Sequence, residues 1–448
     1  MKIKLISPKM TLRPMDSVFK RVLSPSLSLV TIATLTPSSH TVWIEDENTT
    51  RLNLSDSPDV VGITVNVDTS ERAFDIARSY RKRGIKVIFG GIHASANPSP
   101  MLQHCDSVVI GEAEKSWGRL LSDCSKNRLK PIYRNESIPD LKNVPIPNWH
   151  FVDKRNYIYR NVVVTSRGCP FKCNFCYNSS EYVSKPFRNR PIESVLREIE
   201  LLETKQILFI DDNFIGNISW TRELIETIKN KGFVWHAAVS ANIYHHKDLI
   251  DAFAASGCKS LFIGFESIVE ESIRSAEKKQ NKVQEYEDLI ALLHSRGIMV
   301  NASLVFGFDY DKPTVFKETL DWLVRNRVET MTAHILTPYP GTLLHRQLSD
   351  EKRIITTNHS SYNTSNVVFQ PKQMSVEELE EGYKWIYNEF YTLKNIIRRT
   401  PDNKSIRKPY YLFNFGYRKY GRITSLIGRL GLMNRIGQIA RSISYGIE

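Results

Sequence analysis

The run Ser166-Arg167-Gly168-Cys169-Pro170-Phe171-Lys172-Cys173-Asn174-Phe175-Cys176-Tyr177 carries three thiols, with three and then two residues between them. Cys thiolates hold iron–sulfur clusters, and four are usual where a cluster only carries electrons. Three in this spacing can ligate three irons of a [4Fe–4S] cube, leaving the fourth iron open to a substrate or cofactor. A structural zinc site is the plainer alternative. Zinc wants four ligands, usually in two close pairs, and no other Cys or His lies between His150 and His236. A fourth ligand from a distant loop keeps zinc open.

Working outward, the thiols stand directly after a short β-rich run at 162–166. Further strands are expected at 206–210, 233–239, 259–265, 299–306 and 330–336, with helices at 191–203, 219–231, 247–256, 281–296 and 313–326. Pro191 and Pro313 suit first helical turns, and Gly232, Gly257 and Gly297 suit helix ends. Six β/α units are too few for an eight-fold barrel but make an open three-quarter barrel. In barrels the chemistry sits at the carboxyl ends of the strands, where the thiols stand. Polar residues recur at the other strand ends: Asp211, Asp212 and Asn213; Ser240 and Asn242; Glu266; Gly307 and Asp309; and Thr337 to Thr342. Each alone reads equally as a cap or turn residue. Their recurrence around one rim favours a common pocket.

Before the barrel, strands are expected at 2–7, 41–45, 59–65, 85–90 and 106–110, with an amphipathic helix at 69–83. Five strands with helical crossovers imply a flavodoxin-like, doubly wound parallel sheet, which binds ligands beyond its carboxyl ends. Gly90-Gly91 and Gly111 lie at two such ends, either to let a ligand approach the backbone or to make tight turns. The proline-rich stretch 131–160 reads as a linker. The expected fold is therefore α/β. A doubly wound domain (1–130) and a linker (131–160) lead into a partial (β/α)6 barrel (161–365), then a helical, basic C-terminal region (366–448).

The charge belongs to that last region. The 448-residue chain has a formal net charge of +13, and from Arg398 onward eleven Lys or Arg face only Asp402 and Glu448. A basic tail can meet nucleic acid, an anionic membrane or an acidic substrate. A helix is expected over 374–391, opened by a capping box of Ser375 and Glu378. The stretch 422–443 repeats apolar residues at three-to-four spacing with interleaved arginines, which reads as a helix packed on the domain or lying on a membrane. No signal-length apolar stretch opens the chain, and no run of about 18 apolar residues occurs. Six cysteines in this length do not form a secreted disulfide framework, so a cytoplasmic, oxygen-poor setting is expected. Cys105, Cys124 and Cys258 read as plain structural thiols.

On these residues the chain resembles the cobalamin-binding-domain radical S-adenosylmethionine (SAM) proteins, near the anaerobic magnesium-protoporphyrin cyclases, hopanoid methylases and related C-methyltransferases. The resemblance rests on the three cysteines with Gly168, Pro170, Phe175 and Tyr177. It extends over Leu27 to Leu35, Pro58 to Thr64, Gly90 to Ala94, Gly111 to Glu114, Gly264 to Ile268, Phe306 to Asp309 and Pro338 to Thr342. It implies a [4Fe–4S] cluster on Cys169, Cys173 and Cys176, with SAM on the open iron and cleaved to a 5′-deoxyadenosyl radical. Phe175 and Tyr177 would pack near cluster and adenine, Asp211, Ser240 and Glu266 would make polar SAM contacts, and Gly307 would border the adenine. Cobalamin would lie over Gly90, Gly91 and Gly111. No Asp-x-His-x-x-Gly run is present to give it a lower histidine, so it would bind without one.

The expected activity is methylation of an unactivated carbon. Cyclisation, oxidation or rearrangement without methyl transfer is the alternative. A tRNA methylthiotransferase fits less well, lacking a second three-cysteine cluster in the first domain, and nucleic acid is not an expected partner. The substrate would be a small, lipid-like or peptide molecule, the electron donor a flavodoxin or ferredoxin, and the basic tail a peripheral membrane contact. No catalytic side chain can be named from the sequence.

Overall fold

Val60-Val61-Gly62-Ile63 and Val87-Ile88-Phe89 are continuous apolar runs, the pattern of strands covered on both faces of a parallel sheet. The structure, a computed structural model, describes residues 1–16 and 18–417. Its first sheet contains β1 (Lys2–Ser7), β2 (Thr41–Asp46), β3 (Val60–Thr64), β4 (Lys86–Gly90), β5 (Ser107–Ile110) and β6 (Ile132–Arg134). All pair in parallel, in the order β2-β1-β3-β4-β5-β6. The order reverses between β1 and β3, which opens a crevice beyond the carboxyl ends. Helix Ser70–Arg81 buries Ala73, Ile76, Ala77 and Tyr80 against this sheet.

The sheet has one strand more than expected. Ile132–Arg134, inside the stretch read as linker, pairs with β5. Only Tyr133 of the three is buried, and its hydroxyl donates to Asp123 at 2.9 Å. Three residues are too few for alternation to register as a pattern.

The second unit opens with β7 (Val162–Val163). A short antiparallel ribbon of β8 (Ser166–Arg167) and β9 (Arg188–Asn189) follows. Then come β10 (Gln206–Phe209), β11 (Val234–Ser240), β12 (Cys258–Glu266), β13 (Met299–Phe306) and β14 (Thr330–Ile335). The parallel order β14-β13-β12-β11-β10-β7 leaves the two end strands unpaired with each other, so the barrel stays open. The expected helices lie between these strands, and Gly257 and Gly297 end two of them with φ of +98° and +72°. The two prolines stand slightly earlier than expected. Pro191 is the N-cap of Ile192–Glu200, and Pro313 precedes the cap residue Thr314.

An open barrel has a free edge, and β14 does not leave its edge bare. Helix Val376–Phe390 starts on the Ser375/Glu378 capping box and buries Leu379, Tyr383, Ile386, Tyr387 and Phe390. The Tyr387 hydroxyl accepts from Ala333 N at 2.9 Å and donates to Ala333 O at 3.1 Å. The Tyr391 hydroxyl does the same for Met331 at 3.4 and 3.1 Å. Two phenols thus supply partners that a further strand would otherwise give. Among the described residues no helix is long and apolar enough to cross a membrane. The amphipathic stretch 422–443 lies outside the described residues.

Candidate functional site

The cysteine loop leaves β8 through Gly168, whose φ is +80° and whose added Cβ would lie 3.1 Å from the Lys185 carbonyl. Behind it, Asp211 at the end of β10 anchors the root of the loop. Its Oδ1 accepts from Thr165 N and Oγ1 at 3.0 Å each, and from Ser166 N and Oγ at 2.6 and 2.5 Å. Its other oxygen is buried without a partner. Burial outweighs those four donors and pushes the Asp211 carboxyl up to about 6.

The three thiols are neighbours. Burial pushes Cys169 up to about 11 and Cys176 to about 12, with the nearby Cys173 and Asp212 adding to both; burial raises Cys173 as well. None is in a disulfide. Among the described residues no three His, Cys, Asp or Glu side chains converge on a single metal ion. Thiols around an iron–sulfur cube stand farther apart than the ligands of one ion.

A cation faces them. Lys278 Nζ lies 2.5 Å from Glu266 Oε1, and both side chains are about nine-tenths buried. Burial works against the Lys278 charge, but Glu266, Cys173 and Cys176 hold it protonated. Gln280 Nε2 lies 3.8 Å from Cys173 Sγ. Glu266 itself has a φ of +65° beside a register shift in β12. Gly264 is glycine for a nearby reason: a Cβ there would stand 2.5 Å from Glu266 Oε1 and 2.8 Å from Lys278 Nζ. Nothing in the charged run Glu277-Lys278-Lys279-Gln280 singles out Lys278 or Gln280 by pattern alone.

Four more expected residues have separate settings. Ser240 belongs to a polar chain, accepting from Asn213 Nδ2 at 3.1 Å and donating to Asn242 Oδ1 at 2.6 Å. Phe175 packs edge-on to Phe308 and joins an apolar cluster that includes Val67, in the turn that follows β3 of the first sheet. Gly307 faces the helix Val376–Phe390, where a Cβ would meet Leu379 at 2.8 Å. Tyr177 stacks on Tyr339 with ring centres 4.9 Å apart, and its hydroxyl meets His93 Nδ1 at 3.3 Å.

Gly90, Gly91 and Gly111 line a mainly apolar cavity of about 360 Å³ at the carboxyl edge of the first sheet. The barrel supplies part of its wall through Val164, Arg167, Arg190 and Ile210. Gly91 is forced: its φ is +95° and a Cβ would lie 2.9 Å from Thr64 Oγ1 and Val65 N. Gly90 is not, since it lacks a positive φ and a Cβ there would meet nothing within 4 Å. Its missing side chain keeps space open.

Residues 163–323 match the radical SAM superfamily, and 342–415 match a domain of unknown function (DUF4070). The chain is 30% identical over 407 residues to the bacteriochlorophyllide d C-12(1)-methyltransferase of Chlorobaculum tepidum, and the alignment covers 88% of each. The chain belongs to the radical SAM superfamily. The bacteriochlorophyllide d C-8(2)-methyltransferase of the same organism is 27% identical, over 84% of this chain and 87% of that relative. A solved radical SAM methyltransferase, TsrM from Kitasatospora setae with cobalamin and a [4Fe–4S] cluster bound, shares the fold. Its TM-score is 0.67 at 16% identity, over 98% of this chain and 99% of that one. Radical SAM enzymes use a [4Fe–4S] cluster and SAM. Three neighbouring, unpaired thiols on a strand-end loop fit that cluster in donor type and place.

Proposed function

We propose that the chain is a cobalamin-dependent radical SAM methyltransferase that adds a methyl group to an unactivated carbon. Cys169, Cys173 and Cys176 would hold three irons of the cluster and SAM the fourth. When bound, the cluster supplies the electron that cleaves SAM, and cobalamin supplies a methyl group to a carbon radical. Lys278, Glu266 and Asp212 border the space beside the thiols, and Phe175 between the second and third thiols packs on Phe308. Asp211 positions the loop from behind. The observation that carries the reading is the shared wall: the cavity kept open by Gly90 and Gly111 lies between the first sheet and the strand that feeds the cysteine loop. A ligand there faces the barrel mouth. The names of the two bacteriochlorophyllide relatives favour methyl transfer over cyclisation, and an apolar, macrocyclic or lipid-like acceptor fits them best. A one-electron donor such as flavodoxin or ferredoxin and a cytoplasmic setting suit an oxygen-sensitive cluster.

The test is anaerobic reconstitution with iron, sulfide and hydroxocobalamin, followed by gel filtration. Co-elution of cobalamin with iron–sulfur absorbance supports the reading. Protein that keeps its iron but no cobalamin contradicts it.

A further inference from the structure

Both ends of the cysteine loop are tied to carboxyl-edge loops of the first sheet. On the entry side, Arg167, two residues before Cys169, pairs with Glu112 at 3.0 Å and also with Glu114; Arg188 pairs with the same Glu112. Glu112 and Glu114 follow β5. On the exit side, Tyr177, next to Cys176, meets His93, which follows β4. These partners lie 55 and 84 residues apart in sequence.

The His93–Tyr177 tie is rigid at both of its roots. Gly91 turns the chain off β4 against Thr64 and Val65, and His93 is then fully buried in the short helix Ile92–Ala96. On the barrel side, Cys176 caps the turn Tyr177–Ser179, and Ser179 Oγ reaches the Cys176 and Asn174 carbonyls at 2.7 and 3.1 Å. Ser179 Oγ also accepts from Leu343 N at 3.2 Å. Burial pushes His93 down to about 3, so its ring is neutral near neutral pH, and its Nδ1 shares one hydrogen bond with the Tyr177 hydroxyl. The His93 ring and the Tyr177 hydroxyl are buried partners and costly to separate, while Glu112 is held by two arginines at once, so neither tie opens without loss.

We propose that His93–Tyr177 and Glu112–Arg167/Arg188 form a double latch that fixes the distance between the cluster and the group held over the first sheet. The proposal rests on the cobalamin reading above. His93, Tyr177, Glu112, Arg167 and Arg188 are positioning residues in this account, and none need touch the reacting atoms. In that reading one cofactor would stand on each side of the latch, and a radical must meet its methyl donor within a fixed gap, because small misplacements are costly in rate.

The test reads geometry and needs no substrate. Reconstituted holoenzyme is poised with reduced cluster and cob(II)alamin, and their dipolar coupling is measured by pulsed electron paramagnetic resonance. The parent should give one narrow distance distribution. His93→Ala should lose the narrow component, and His93→Gln, which can still hydrogen-bond Tyr177, should restore it. Arg188→Ala, which removes one of the two cations on Glu112, should broaden the distribution and decides the matter if His93→Ala does not fold. A narrow distribution unchanged in a folded His93→Ala or Arg188→Ala, or one that His93→Gln fails to restore, overturns the latch. A parent without any cob(II)alamin signal instead refutes the cobalamin reading, and the latch with it.

Discussion

Lys278 Nζ donates to Glu266 Oε1 across 2.5 Å, in the buried wall beside Cys173. Breaking a buried pair by removing one partner strands the other charge, at about 3–5 kcal/mol. Lys278→Met should therefore destabilise the cluster-free protein by about 3 kcal/mol, read as a lower urea midpoint. The double variant with Glu266→Gln should recover much of that loss. Equal midpoints for Lys278→Met and parent would remove Lys278 from its structural role.

Gly90 and Gly91 are adjacent and should respond oppositely. Gly91→Ala meets both a positive φ and close backbone atoms, so it should cost roughly 1–3 kcal/mol of stability. Gly90→Leu enters open space and should leave the melting temperature nearly unchanged. It should nevertheless abolish cobalamin retention on gel filtration, because it fills the cavity. Retention by a folded Gly90→Leu would move the cofactor elsewhere.

Acid sensitivity follows from His93. Its folded pKa is about 3, below the ordinary imidazole value, because burial disfavours the charged ring. The unfolded chain therefore binds a proton that the folded one refuses. Stability from this group is present above the unfolded pKa near 6.5 and is lost as pH falls toward 3, at about 1.4 kcal/mol per pH unit. His334, pushed to about 3 mainly by burial and then by Arg13, adds in the same sense. His93→Gln should remove close to one proton's worth of that slope, measured by urea unfolding at several pH values between 4.5 and 7.5. An unchanged slope would mean that the ring is not buried neutral.

The phenols on the β14 edge are tested more simply. Tyr387→Phe leaves the Ala333 N–H and carbonyl without that partner, which should cost about 1–3 kcal/mol. A neutral substitution would show that the edge finds its partners otherwise.

The alternation of strands and helices was legible because parallel strands such as Val60-Val61-Gly62-Ile63 are continuous apolar runs, and helices such as Ser70–Arg81 keep a 3.6-residue stripe. The place of the thiols was legible as well, because a loop after a barrel strand has one end of the barrel to occupy. Ile132–Arg134 was not, being three residues long with one inward side chain. Asp211 stands just beyond the end of β10, where the strand pattern places it. That its Oδ1 turns back to Thr165 and Ser166 depends on backbone direction, which local pattern does not carry. The ties from Arg167 to Glu112 and from Tyr177 to His93 join residues brought together only by docking one sheet on another. No periodicity announces such pairs.

The central claim, that the cysteine loop generates a radical from SAM, is tested most directly by 5′-deoxyadenosine. The anaerobically reconstituted chain, given SAM and dithionite, should form it, and Cys173→Ala should form none while losing the iron–sulfur absorbance. A parent chain that carries the cluster yet yields no 5′-deoxyadenosine, or a Cys173→Ala chain that still yields it, would contradict the account.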